Sequence, residues 1–267
     1  MIRIKTILDS YKIVGPKLLL KEAIRRIFGI RYSYNGIVVN DLRTFRIIKN
    51  AMKNGYVITS IDGNCVLITD YGKLVVPKQK CSLFSISAVE NFSRLYGRLN
   101  AKSRIVLDVG GYIGDTALYF LNNGARLVIV YEPVKDLFKL LLNNIELNNV
   151  SERVVAINAG VWIKDGTIVL PAEESYIKTV SWQSVIKNVS QYGNNIVAKI
   201  DCEGCEYGLI GVSCKDLMIL DEYIIEIHGK SGPLVMKFTD CGFEAEKVET
   251  INACTSIWYF KSNVTRS

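Results

Sequence analysis

From Arg104 onward the chain changes rhythm: short, near-continuous apolar runs alternate with longer stretches whose leucines and valines recur at helical spacing. The runs predict strands at Ile105–Val109, Leu127–Tyr131, Val154–Asn158, Ile196–Ile200 and Tyr223–Ile227. Such unbroken Ile/Val/Leu runs suit parallel strands covered on both faces, which need no polar alternation. Helices are expected over Asp115–Asn123, Val134–Leu147 and around Gly232–Cys241, with Gly124 as the C′ residue of the first. Asp165-Gly166 reads as a turn into Thr167–Leu170, and two strands near Phe243–Val248 and Thr255–Phe260 close the chain. Strand and helix in alternation predict an open α/β sheet.

The first hundred residues follow another pattern. Lys17 to Phe28 (K-L-L-L-K-E-A-I-R-R-I-F) is helical and amphipathic. Alternating runs follow at Gly55–Asn64, Cys65–Gly72 and Lys73–Pro77, and the D-G-N and D-Y-G turn signals between them predict a small meander. A helix-like stretch then leads to Asn100. The chain thus divides into an N-terminal extension, residues 1–100, and a main domain, residues 101–267.

The first strand of the main domain runs into I-V-L-D-V-G-G-Y-I-G-D (Ile105 to Asp115). A strand, a glycine turn and a helix N-terminus form the nucleotide pocket of open α/β sheets. The dinucleotide fingerprint G-x-G-x-x-G needs glycine at 112, where this chain has Tyr112. The acid at the strand end, Asp108, would repel a pyrophosphate and suits a positively charged ligand with an ammonium group, such as S-adenosylmethionine (SAM). Gly110 and Gly111 are expected to let backbone approach that ligand, and Gly114 to let the helix pack closely. Tyr112 and Asp115 complete the turn. Glu132, at the end of the second strand, stands where an acid accepts the ribose hydroxyls of an adenosine, and Asn158, after the third, is a candidate for the adenine edge.

The later strands also end in polar groups. K-I-D-C-E-G-C-E (Lys199 to Glu206) crowds Asp201, Glu203 and Glu206 at a strand end, and I-I-E-I-H places Glu226 and His228, the chain's single histidine, on one face. A histidine beside carboxylates suits a general base near neutral pH. The base is expected among His228, Asp201 and Glu203. Glu203, Glu206 and Glu226 are candidates to bind acceptor hydroxyls.

Charge adds a condition. The net charge is +7, yet residues 1–60 hold twelve Lys/Arg against Asp9, Glu22 and Asp41, so the remainder is slightly acidic. A basic extension suits an anionic membrane surface, a lipid-linked substrate or nucleic acid. Without an apolar run of about 20 residues or a signal-like N-terminus, a cytoplasmic protein is expected, with peripheral attachment at the inner membrane face as the variant the basic segment allows. The seven cysteines are scattered, C-x-x-C occurs once at Cys202 and Cys205, and one histidine rules out a His-rich site, so no metal is expected. The cysteines read as small buried side chains, with a Cys241–Cys254 bridge reserved for an oxidising or thermophilic setting.

Four segments in order resemble the FkbM family of SAM-dependent methyltransferases: D-V-G-G-Y-I-G-D-T-A (Asp108 to Ala117), Y-E-P (Tyr131 to Pro133), K-I-D-C-E-G-C-E and I-E-I-H (Ile225 to His228). The resemblance covers roughly residues 55–260, and D-x-E-G-x-E is its most discriminating part. The family typically has D-V-G-A-N-I-G, so Gly111 and Tyr112 are departures, as are Cys202 and Cys205, where the family has small apolar residues. The resemblance implies a Rossmann-like class I methyltransferase fold, a mostly parallel seven-stranded sheet with an antiparallel final strand. It also implies SAM as cofactor and methyl transfer to a hydroxyl of a sugar, glycan or related small molecule. A nucleic-acid methyltransferase is favoured by the basic extension and opposed by the fourth strand, which ends in I-D-C-E-G and lacks the Asn/Asp-Pro-Pro-aromatic loop of families that methylate base nitrogens. An NAD-dependent oxidoreductase is opposed by Tyr112 and Asp108. A non-catalytic binding module would bind SAM without turnover.

Overall fold

The computed structural model describes residues 32–34, 37–39, 42–53, 56–84, 90–170 and 175–263. The amphipathic segment Lys17–Phe28 lies outside them. Two compact units are present, Met1–Ile68 with Val76–Val89, and Thr69–Val75 with Glu90–Ser267.

In the first unit, strands β1 (Tyr32–Tyr34) and β2 (Ile37–Val39) pair antiparallel and helix α1 (Leu42–Lys53) follows. The meander expected over 55–77 appears as β3 (Val57–Ile61), β4 (Asn64–Ile68) and β5 (Lys73–Pro77), the first three residues of β5 being counted with the second unit. Asp62 and Gly63, at φ 49° and 77°, join β3 to β4. Two consecutive left-handed residues are what a tight hairpin with right-twisted strands requires. Cys65 and Cys81 form a disulfide.

The second unit opens with α2 (Phe92–Tyr96) and is built on one sheet. Its strands are β6 (Ile105–Val109), β7 (Leu127–Tyr131), β8 (Val154–Ile157), β12 (Ile196–Ile200), β13 (Glu222–His228), β14 (Phe243–Asn252) and β15 (Thr255–Ser262), in the order β14-β15-β13-β12-β6-β7-β8. Neighbours from β8 to β13 are parallel, and β15 alone runs against them. This is the mostly parallel seven-stranded sheet with an antiparallel final strand expected above. Every residue of β6 and β12 is buried, which explains their unbroken apolar sequences. The strand order reverses at β6, whose neighbours β7 and β12 lie on opposite sides. Open α/β sheets place their crevice at the carboxyl ends of the strands flanking such a reversal.

Helices α3 (Asp115–Asn122), α4 (Lys135–Leu147), α5 (Trp182–Ser190), α6 (Cys214–Leu217) and α7 (Gly232–Asp240) accompany the sheet. A side sheet holds β9 (Gly160–Trp162), β10 (Gly166–Leu170) and β11 (Ser175–Ser181) in the order β10-β11-β9. Helix α5 carries Trp182, Val185, Ile186 and Val189 into the core and starts at Ser181, whose hydroxyl accepts from Ser184 N. Residues 171–195 had no assigned element from sequence, although this cap and this period are both legible there.

The cysteines depart from expectation. Cys202 pairs with Cys205 and Cys214 with Cys241, leaving Cys254 as a free, exposed thiol. Six of the seven cysteines are therefore bridged rather than simply packed, and Cys241 takes Cys214 instead of Cys254. Disulfides persist in oxidising compartments and in the intracellular proteins of hyperthermophiles, so the expected cytoplasmic location carries that condition. No helix among the described residues is long and apolar enough to cross a membrane.

Candidate active site at the carboxyl edge of the sheet

The turn after β6 is set by its neighbours. Gly110 sits at φ 83°, and a Cβ there would stand 1.8 Å from the carbonyl oxygen of Asp201. Gly111 lies against Val130, whose methyl a Cβ would meet at 2.1 Å. Both amides donate to Tyr131 O at 3.0 Å. The turn after β6 thus lies close against its own neighbours β7 and β12. Gly114 stands at ordinary contact distance from Leu141, so the tight packing expected there falls to Gly111. Tyr112 itself is left-handed, at φ 49°.

Asp108 was expected to face a ligand ammonium, but its side chain is 0% exposed. Thr116 donates to it at 2.6 Å, and Lys199 Nζ lies 3.1 Å away. The pairing of β6 with β12 puts Lys199 directly beside Asp108. Lys199, 1% exposed, also donates to Gly110 O at 2.7 Å. Burial lifts the Asp108 carboxyl above its usual range against the pull of Lys199 and Thr116. Burial works to lower Lys199, yet Asp108 and Asp201 hold it above its ordinary value. The buried pair clamps the glycine turn. Asp115, also buried, spends one oxygen on Thr116 N in the first turn of α3.

Glu132, at the end of β7, accepts from Tyr112 N at 2.9 Å and from Val134 N at 2.8 Å. Burial nevertheless pushes its carboxyl up to about 7. Asn158 donates to the carbonyls of Glu132 and Pro133, which fixes the corner beside Glu132.

Across the crevice the ends of β12 and β13 bring Asp201, Glu203, Glu206, Glu226 and His228 together. His228 Nε2 lies 3.6 Å from Glu226, 3.6 Å from Glu203 and 3.9 Å from Asp201. Nδ1 lies 3.3 Å from Glu206. Glu206 was a candidate for acceptor hydroxyls, but it is fully buried and its oxygens already accept from His228 N at 2.9 Å and Gly204 N at 2.8 Å. It positions the imidazole instead. Burial would raise the Glu206 carboxyl, but the hydrogen bonds from the His228 ring and backbone hold it below its usual value. His228 is pushed up to about 9, first by Glu206 and then, against burial, by Glu203 and Asp201. In the unliganded protein these acids favour the protonated imidazole at neutral pH. Glu226 is pushed up to about 7 by burial and by Asp201, which matches a group that gains and loses a proton near neutrality.

Two participants carried no sequence signal that was used. Lys199 lies within the K-I-D-C-E-G-C-E motif, and a lysine inside a fully buried strand marks a buried ion pair. Glu90 precedes α2, and its carboxyl is pushed up to about 7 by burial and by the charges of Asp201, Glu226 and Asp115. Asp201, Glu203 and His228 each bring one donor atom within 4.8 Å of the others, a spacing one cation could share.

No protein-family model matches the chain. No curated protein matches it either. Solved structures with similar coordinates include M. capricolum TrmK in complex with S-adenosyl-homocysteine, at 13% identity over 62% of this chain and 65% of that one, TM-score 0.43. The complex of aTrm5 and tRNALeu gives 15% identity over 77% of this chain and 55% of that one, TM-score 0.45. A ribosomal protein L11 methylase from Lactobacillus delbrueckii subsp. bulgaricus gives 14% identity over 62% and 74%, TM-score 0.39.

Proposed function

We propose that this protein is a SAM-dependent methyltransferase of the FkbM type, acting on a hydroxyl of a sugar, glycan or related small molecule. One observation carries the proposal: the clamped turn at Gly110, Glu132 and the carboxylate-rich surroundings of His228 all meet at the strand-order reversal. The residues present fit SAM. Asp201, Glu203 and Glu226 crowd negative charge around His228 that a sulfonium and an ammonium would relieve; Glu226 is raised by burial first and by Asp201 second. Glu132 would take the ribose hydroxyls, Asn158 the adenine side, and Asp201 with the turn at Gly110–Tyr112 the methionine end. When bound, SAM supplies a methyl group made electrophilic by its positive sulfur.

The chain's own residues do the rest. Most of the acceleration comes from holding the acceptor oxygen close and aligned. The protonated His228, oriented by Glu206, gives the acceptor a hydrogen-bond donor. Glu226 accepts the hydroxyl proton during or after transfer. Glu203, with its side chain 86% exposed, offers a carboxylate to neighbouring hydroxyls of the acceptor. A nucleic-acid acceptor is the second reading, favoured by the basic charge of the first sixty residues.

Calorimetric titration with SAM, its demethylated product and NAD tests the pocket. SAM and product should bind and NAD should not. Glu132→Ala should weaken SAM binding by roughly 10- to 100-fold, the worth of about 1.5–3 kcal/mol for hydrogen bonds to a charged group. Transfer of labelled methyl to hydroxylated glycans or to RNA then separates the two acceptors. A folded protein that binds no SAM ends the proposal, and binding without transfer leaves the binding module.

A further inference from the structure

The C-x-x-C motif has no part in the function proposed above, yet it frames two acids of the cluster. The Cys202–Cys205 disulfide closes a four-residue ring over Glu203 and Gly204. Within the ring the backbone is left-handed twice running, at φ 57° for Glu203 and 117° for Gly204. That conformation is unfavourable for a residue with a Cβ and persists only where its surroundings impose it. Its result is specific. Glu203 is brought to 3.6 Å from His228 Nε2, and Gly204 N donates to Glu206, the acid 3.3 Å from Nδ1. The ring is anchored at one end, where Cys205 is buried and its carbonyl accepts from Trp182 Nε1 at 2.9 Å. Cys202, at the other end, is only half-buried. Asp201 and Glu226 also face His228, from outside the ring.

We propose that the Cys202–Cys205 disulfide is a positioning element of the His228 cluster. Closed, it holds Glu203 and Glu206 against the two ring nitrogens; opened by a dithiol, it releases Glu203 and loosens Glu206. The exchange balances simply. The dithiol gives two electrons and two protons, the S–S bond becomes two thiols, and the reductant closes its own disulfide. The link from disulfide to imidazole stands on this geometry alone. Its effect on methyl transfer rests on the function proposed above.

The chain's single histidine makes the test direct, because its imidazole signals in an NMR titration can only be those of His228. Three proteins are compared in a chelator-containing buffer: wild type, Cys202→Ser/Cys205→Ser, and Cys214→Ser/Cys241→Ser. The first pair variant should titrate about one unit or more below wild type, towards the ordinary histidine value of about 6.5. The second should titrate with wild type. Equal midpoints in wild type and the Cys202/Cys205 variant overturn the proposal. Should that variant not fold, wild type is treated with dithiothreitol, thiols at 202 and 205 are mapped by alkylation, and the same midpoints decide. SAM calorimetry on the same samples separates the two claims. A wild type that binds no SAM defeats the functional reading and leaves the His228 result standing. With an acceptor in hand, opening the ring should lower kcat severalfold and leave the KM for SAM unchanged; a change in KM alone would count against positioning.

Discussion

Two ionic groups share one edge of the sheet and are built on opposite rules. Asp108 and Lys199 form a matched pair, shut away from water, with Thr116 donating to Asp108 and Gly110 O accepting from Lys199. His228 is one cation among four acids, partly open to solvent. A matched pair buried this deeply is closed to solvent, and removing either member leaves a stranded charge. An unmatched, half-open cluster keeps its surplus for whatever enters. The acid that looked most ligand-like in sequence is locked in a buried ion pair, and the half-open cluster lies one and two strands away.

The largest break in that contrast should come from Lys199→Met, which strands Asp108. Denaturant unfolding should show a loss of about 3–5 kcal/mol, and adding Asp108→Asn should return part of it. A loss below about 1 kcal/mol would mean that the pair is not clamped as described. His228→Gln, by contrast, should leave stability near wild type at pH 9.5.

An intermediate effect should appear with pH. His228 titrates at about 9 when folded and near 6.5 when unfolded, so its partners stabilise the fold fully below about 6.5 and lose their effect as pH rises through 9. Glu132 and Glu226, raised to about 7, act against the fold as pH rises from about 4.5 to 7, because the unfolded chain ionises first. Thermal unfolding midpoints should therefore fall from pH 5 to pH 9.5. Glu226→Gln should flatten the lower part of the decline and His228→Gln the upper. A stability maximum near pH 8 to 9 would contradict both assignments.

The smallest effect sharpens the contrast from outside. Arg98 pairs with Glu246 on the surface, both well exposed. Arg98→Ala should change stability by no more than about 1 kcal/mol, and by less in high salt.

Much of this architecture was legible. The glycine turn, the acids closing successive strands and the run I-E-I-H all lie within single segments, where period and spacing can be read. The Asp108–Lys199 pair could not be, because it exists only through the register of β6 on β12. Glu90 stands in no motif, and the charges that act on it, Asp201 and Glu226, lie more than a hundred residues away in sequence. Cysteine pairing depends on which Cα atoms come within reach, which spacing along the chain does not reveal. The protonation of His228 was not legible for a different reason. It is set by the combined effect of Glu206, Glu203 and Asp201, which come from separate positions in the fold.

Cys254 lies next to Thr255, the residue paired with His228, and its carbonyl accepts from Gly229 N at 2.6 Å. As the one unbridged and exposed cysteine, it is the residue a thiol-reactive dye would find in the unreduced protein. Nature has left a labelling handle one hydrogen bond from the candidate site, so arrival of an acceptor could be watched by fluorescence before its chemistry is known.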